Sequence, residues 1–247
     1  IITKPLLQYG VEEALSAGIT NIAIVTGRGK RSIEDHFDNS FELESQLKET
    51  SKEYYIKDIL NIIKKATFTY VRQKKMLGLG HAILTGETLI GNNPFAVILA
   101  DDLCVCPNDS VLSQMLKVFN KYKCSVIAIE EVPNKDTDKY GIINGHLIDG
   151  SNDTFQVTDM VEKPDPKNAP SNMAITGRYI LTPDIFEIIK TIKPDESGEI
   201  QLTEALLTQA KQGNVIAYKF KGLRFDCGNV KGYIKATNHF AKLQGLI

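Results

Sequence analysis

The chain has 247 residues and is 43% hydrophobic, enough to bury one large α/β or all-β core. Its 29 Lys and Arg against 30 Asp and Glu leave a formal charge of −1, which excludes the one-signed field of a nucleic-acid or membrane-surface binder, so any phosphate is met by a few placed cations. The longest apolar run, Phe95 to Ala100, falls far short of the roughly 20 residues that span a bilayer, and cysteines at 104, 106, 124 and 227 make no secreted disulfide framework and no C-x2-C half-site. Reduced thiols in a cytoplasm fit this usage. Cys104-x-Cys106 reads as two small buried or loop residues, with a metal pair as the alternative.

In chain order, Leu6, Leu7, Val11, Ala14 and Leu15 form an amphipathic helical stripe after Pro5, closed at Gly18. Asn21 to Thr26 is a near-continuous apolar run, the pattern of a strand buried on both faces. The same helix-then-strand phrase recurs as His81 to Ile90 with Phe95 to Ala100, and as Val111 to Tyr122 with Ser125 to Ile129. Between them, Ser32 to Lys65 predicts two exposed helices inserted before a strand at Thr67 to Val71. From Tyr140 the pattern changes to short strands, Gly141 to Gly145, His146 to Gly150 and Phe155 to Glu162, separated by Asn/Gly and Asp/Gly turns. A strand at Ile175 to Leu181, a helix from Pro183 to Lys190, a helix from about Ile200 to Gln212, a strand at Val215 to Phe220 and a closing helix at Gly228 to Leu243 complete the reading. The expectation is an α/β fold with a doubly wound, mostly parallel, Rossmann-like sheet and a small strand-rich lobe, in one domain spanning 1–247.

Three constellations carry chemistry. Gly78 and Gly80 follow a strand and open a helix, where bare backbone admits a flat base or a phosphate; a plain strand-to-helix turn is the competing reading. Neither glycine cluster, Gly27 to Ser32 nor Gly78 to Ile83, matches the dinucleotide or Walker templates. Val97 to Ala100 ends in Asp101-Asp102, and alternation along a strand turns one carboxylate into the crevice above the sheet, where it suits a hard divalent cation. Asp101 is the choice for that role, with Asp102 left to capping or turn formation; Asp226 is a further carboxylate that the sequence cannot place beside it. Finally, Glu162-Lys163-Pro164 delivers an anion and a cation together, suited to the hydroxyls and phosphate of a sugar phosphate or simply to a solvated strand edge.

Taken in order, Lys4-Pro5-Leu6-Leu7, Ser32 to Asp38, Gln73 with Gly78-Leu79-Gly80, Asp101-Asp102, Glu162-Lys163-Pro164, Ile175 to Tyr179, Gly198 to Thr203 and Asp226-Cys227-Gly228-Asn229 resemble the sugar-nucleotidyltransferase family, and its uridylyl-glucose branch most closely. The resemblance covers nearly the whole chain. It implies an enzyme taking UTP and glucose 1-phosphate with Mg²⁺, without nucleic-acid or membrane partners, and a homodimer or homotetramer. It further implies that Gln73 and Gly78 recognise the base, that Asp101 and Asp226 hold the metal, and that Gly141, Glu162, Lys163, Ile175 and Tyr179 receive the sugar and its phosphate. Asp101, Lys163 and Asp226 are the catalytic residues it implies. The same chemistry with dTTP or another sugar phosphate, and a non-catalytic sugar-nucleotide-binding subunit, remain alternatives. The family's first strand and glycine-rich loop stand upstream of its Lys-Pro motif, here Lys4-Pro5, so the expectation is that the sequence omits residues of a longer protein.

Overall fold

The computed structural model describes residues 1–247 apart from the side chain of Tyr55. Its elements are α1 (Leu6–Ser16), β1 (Asn21–Thr26), α2 (Arg31–His36), α3 (Phe41–Leu47), α4 (Tyr54–Lys65), β2 (Thr67–Arg72), α5 (Gly78–Leu84), α6 (Glu87–Ile90), β3 (Phe95–Ile98), β4 (Asp102–Val105), α7 (Val111–Tyr122), β5 (Ser125–Glu131), β6 (Gly141–Leu147), β7 (Thr154–Glu162), β8 (Met173–Leu181), α8 (Ile185–Thr191), α9 (Leu202–Lys211), β9 (Val215–Lys219), β10 (Leu223–Asp226) and α10 (Val230–Leu243). Helix ends follow local chemistry. Gly18 takes φ +81 just past α1 and its N–H reaches Leu15 O, satisfying a carbonyl that the last turn leaves open. Ser110 caps α7 by accepting from Ser113 N at 3.2 Å.

A six-stranded sheet in the order β3-β8-β5-β9-β7-β6 forms the centre. Its strand β5 is sealed on both faces: Val126 and Ala128 pack with Leu112 and Met115 of α7, while Ile127 and Ile129 pack with Ile185, Ile189 and Leu206 of α8 and α9. Each fully buried Val, Leu, Ile or Met side chain among these contributes about 1.5–3 kcal/mol of hydrophobic free energy. That two-sided burial is why the run reads as continuously apolar.

The sheet is mixed rather than mostly parallel. Within it only β5 with β9 is parallel, and β8 runs antiparallel between β3 and β5; β1 and β2 pair in parallel as a separate two-stranded sheet, where Ala23 and Val25 are exposed, so β1 is not buried on both faces as expected. A continuous apolar run is silent about the direction of the neighbour, so the parallel expectation went beyond its signal. β6 pairs with β7 and touches β8 at Ile142 and Ala174, which closes β8, β5, β9, β7 and β6 into a small barrel. The strand-rich segment is therefore continuous with the central sheet.

Two further expectations change. Gly141 to Leu147 is one strand with a bulge at Asn144/Gly145, because a Cβ at Gly145 would meet Gln156 O at 2.4 Å; this glycine serves close strand approach and the chain turns later, at Gly150. The segment from Ser32 to Lys65 holds α2, α3 and α4, and α4 is docked, with Ile62 buried against Val11, Ile24 and Phe37. No helix among the described residues is long and apolar enough to cross a membrane.

Candidate active site

The two candidate metal carboxylates are brought together by a pairing the sequence does not announce. β10 runs antiparallel to β4 with Asp226 opposite Asp102, and Cys227 N donates to Asp101 O at 2.7 Å. The side chains of Asp101 and Asp226 then flank Gly228: a Cβ there would lie 3.0 Å from Asp101 Oδ2 and 3.2 Å from Asp226 Oδ1. The missing side chain keeps the space between the two carboxylates open. Among the described residues, no group of three or more His, Cys, Asp or Glu gathers as a ready metal cage.

Asp102 does more than cap a turn. Its Oδ2 accepts from Gly177 N at 2.6 Å, and its Oδ1 takes Arg224 through Nε and Nη2, both at 2.7 Å. Burial pushes its carboxyl up from the usual range, against the pull of Arg224, Gly177 N–H and Arg178. Gly177 has to be glycine, because a Cβ would meet Asp102 Oδ2 and Leu99 Cβ at 2.7 Å each. Arg224 also pairs with Glu130 at 2.5 Å and lies over the Tyr140 ring, 5.0 Å from its centroid, while Tyr140 Oη donates to Asp226 Oδ2 at 3.2 Å. Burial raises the Tyr140 pKa, which keeps the phenol a donor.

Beneath this lies a second buried pair that sequence reasoning missed. Arg178 Nε and Nη2 donate to Glu13 Oε2 at 3.0 and 2.8 Å, and the guanidinium also donates to the carbonyls of Leu99, Gly177 and Asp102. Glu13 Oε1 accepts from Leu112 N, so α1, α7 and the β3–β4 turn meet at one ion pair. A signal was present: Arg178 is a charge inside the apolar run Ile175 to Leu181, and a buried charge needs a partner.

The remaining wall comes from β6, β7 and β8. Gly141 sits opposite Glu162 in the β6–β7 register, and Lys163 N donates to Tyr140 O at 3.0 Å. Lys163 adopts φ 44, a left-handed backbone rare for a residue with a side chain, and its Nζ stands 3.6 Å from Glu162 Oε1. Ile175 and Tyr179, four positions apart on β8, share a face. Both line a cavity of about 350 Å³ with Asp101, Gly141, Glu162, Lys163, Thr203 and Asp226. Burial, then the charges of Asp102 and Glu162, push the Tyr179 phenol well up, and the hydroxyl has no hydrogen-bond partner among the described residues.

Gln73 and Gly78 lie outside this group. Gln73 Nε2 donates to Gly78 O at 3.2 Å and meets His81 Nδ1 at 3.0 Å. The glycine pair is closed by the chain itself: Gly80 N donates to Ile200 O, Ile200 N donates to Leu77 O, and a Cβ at Gly78 or Gly80 would come within 2.8 Å of Glu199 Cβ or 2.7 Å of Ile200 O. Close approach of the segment before α9 accounts for these glycines. Leu79 and Glu199, on either side of that seam, do reach the cavity. At Cys104, burial pushes the thiol up to about 12, so it stays protonated at neutral pH.

Residues 1–242 match the family described as Nucleotidyl transferase. The chain belongs to that family. It is 60% identical over 239 residues to a UTP--glucose-1-phosphate uridylyltransferase of Pseudomonas aeruginosa PAO1, covering 96% of this chain and 85% of that protein. A solved UDP-glucose pyrophosphorylase complexed with UDP-glucose matches with a TM-score of 0.90 at 56% identity, over 98% of this chain and 88% of that one. A UTP-bound UGPase from Acinetobacter baumannii matches with a TM-score of 0.87 at 35% identity, over 96% and 82%. Membership fixes the α/β nucleotidyltransferase fold, and the mixed, partly closed sheet is the form it takes here.

Proposed function

We propose that the chain transfers a uridylyl group from UTP to glucose 1-phosphate, giving UDP-glucose and pyrophosphate. The observation that carries this reading is the convergence on one cavity of paired carboxylates, Asp101 and Asp226, with an acceptor–cation pair, Glu162 and Lys163. The relatives named for UTP, glucose 1-phosphate and UDP-glucose support the choice of substrates.

A sugar phosphate, largely dianionic at neutral pH because its second pKa is about 6, needs no general base. Its oxygen attacks the α-phosphorus of UTP in line; the new P–O bond forms as the bond to the β-phosphate oxygen breaks, and pyrophosphate leaves with that electron pair. The task of the protein is then to hold two repelling anions in line and offset the charge they bring together. Glu162 accepts from sugar hydroxyls, Lys163 meets the sugar phosphate, the free hydroxyl of Tyr179 and the bare backbone of Gly141 shape the sugar wall with Ile175, and the Gln73 amide, held against Gly78 O, attends to the base beyond this cavity while Gly78 itself serves the close approach of the segment before α9.

Asp101 and Asp226 suit Mg²⁺. Two carboxylate oxygens facing the open side of Gly228, with no third side-chain ligand gathered there among the described residues, match a hard cation that keeps its other positions for water and phosphate. When bound, the ion neutralises developing charge on the phosphate oxygens. A cytoplasmic location, a single nucleotidyltransferase domain over 1–247 and a homodimeric or homotetrameric assembly complete the proposal.

The test is release of pyrophosphate by the intact protein from UTP, glucose 1-phosphate and Mg²⁺. Turnover only with another sugar phosphate overturns the sugar assignment, and preference for dTTP overturns the base.

A further inference from the structure

The first turn of α9 supplies a side chain to the sugar wall for which the reaction itself calls for no role. Thr203 Oγ1 lies 2.6 Å from Glu162 Oε2, and because an ionised carboxylate only accepts, Thr203 is the donor. The contact spans elements far apart in sequence: Glu162 ends β7, Thr203 opens α9, and Gly141 of β6 lies between them. A Cβ at Gly141 would come 3.2 Å from both Glu162 Oε2 and Thr203 Oγ1, and 3.1 Å from Ile175 Cδ1. A fourth side chain in this corner would have to displace these three atoms by a few tenths of an ångström.

The other carboxylate oxygen is in a different position. Glu162 Oε1 has no hydrogen bond among the described residues and faces Lys163 Nζ at 3.6 Å, longer than a direct hydrogen bond. Thr203 and Lys163 therefore pull on opposite ends of one carboxylate. With Thr203 holding Oε2, Oε1 stays in the cavity and Lys163 stays free of a tight ion pair. Without the Thr203 hydroxyl, the carboxylate is free to rotate onto the ammonium, which withdraws an acceptor from the sugar and a cation from the phosphate together.

We infer that Thr203 is a positioning residue for sugar recognition, acting through Glu162 to fix which hydroxyl geometry the cavity accepts. Its single proton is spent on Glu162, so its own oxygen and Glu162 Oε1 are both acceptors toward the cavity. The ligand that fits this corner is a hexose presenting a donor hydroxyl to each, and an epimer that turns one hydroxyl away leaves an acceptor unmet. This inference rests on the proposed uridylyltransferase reading for the location of the sugar.

Calorimetric binding of UDP-glucose, UDP-galactose and UDP to the intact protein tests it independently of turnover. T203V, which keeps the shape and removes the hydroxyl, is expected to weaken UDP-glucose about tenfold, the worth of one hydrogen bond to a charged group, to narrow the preference over UDP-galactose, and to leave UDP unchanged. T203S keeps the donor and is expected to restore the parent affinities. If T203V lacks a cooperative thermal transition, T203A carries the same comparison.

An unchanged preference in T203V, an equal loss for UDP, a T203S as weak as T203V, or no UDP-glucose binding by the parent each overturns the role. Failure of the parent to release pyrophosphate while these binding differences hold overturns the proposed reaction and leaves the positioning role standing.

Discussion

Arg224 holds Asp102 Oδ1 with two nitrogens at 2.7 Å, and the two side chains are only 6% and 7% exposed. This pair links both candidate metal carboxylates. Asp102 is the chain neighbour of Asp101, and Arg224 lies over the Tyr140 ring, whose hydroxyl donates to Asp226. A buried ion pair is weak evidence for added stability, since desolvation offsets much of the attraction. Its value here lies in geometry, because the bidentate contact and the Gly177 N–H leave Asp102 one orientation.

A double-mutant cycle separates these effects. Arg224→Met leaves Asp102 and Glu130 without their main cation and is expected to cost about 3 kcal/mol by chemical denaturation, the penalty for removing one partner of a buried pair. Asp102→Asn in the same background removes the uncompensated charge at the buried position and is expected to recover part of that loss. Additive losses in the double variant would show that the two residues are not coupled.

Asp101 is exposed, and its side chain makes no hydrogen bond among the described residues, so its substitution is decoupled from the fold. Asp101→Asn is expected to leave stability within about 0.5 kcal/mol of the parent while kcat falls by about 100-fold or more and the Mg²⁺ concentration for half activity rises. Stability is read by thermal denaturation and activity by pyrophosphate release across a Mg²⁺ series. Parent-like activity at low Mg²⁺ would remove Asp101 from the site.

Legibility from sequence followed the range of the interactions. The apolar runs at Asn21 to Thr26, Phe95 to Ala100 and Ser125 to Ile129 all hold strands, but the two-sided burial expected of Asn21 to Thr26 is met only by Ser125 to Ile129, since Ala23 and Val25 are exposed while Ile24 and Thr26 are buried. Strand direction was not legible: β8 enters between β3 and β5 from more than forty positions downstream of the latter, and no local pattern records that insertion. The Glu162-Lys163 pair was legible as a motif at the end of one strand, whereas Ile175 and Tyr179 entered through the family resemblance alone; all four line one cavity. Asp226 was recognisable as a carboxylate beside glycine, but its place beside Asp101 depends on the β4–β10 pairing across the chain. Arg178 carried a readable signal, a charge in an apolar strand; its partner Glu13 did not, since a Glu in an amphipathic helix is ordinary until its face is known.

The pH dependence of stability follows from His36 on α2. Its Nε2 meets Gln8 Oε1 of α1 at 2.9 Å and its ring stands edge-on to Phe37, while burial lowers its pKa below the ordinary value of 6.5. The native state thus binds a proton at His36 less readily than the unfolded chain does. With the unfolded state taking up more protons as pH falls, stability drops on acidification: the His36 contribution is present in full above the unfolded value near 6.5 and is lost as pH falls through the lower folded value. The same site lies where α2 docks on α1, so protonation loads an interface that includes the buried Phe37, Val11 and Ile62. Thermal denaturation between pH 7.5 and 5.5 is expected to show a falling midpoint in the parent and a flatter profile in His36→Gln, which offers no ring to protonate. Parallel profiles for the two proteins would assign the acid sensitivity to other groups.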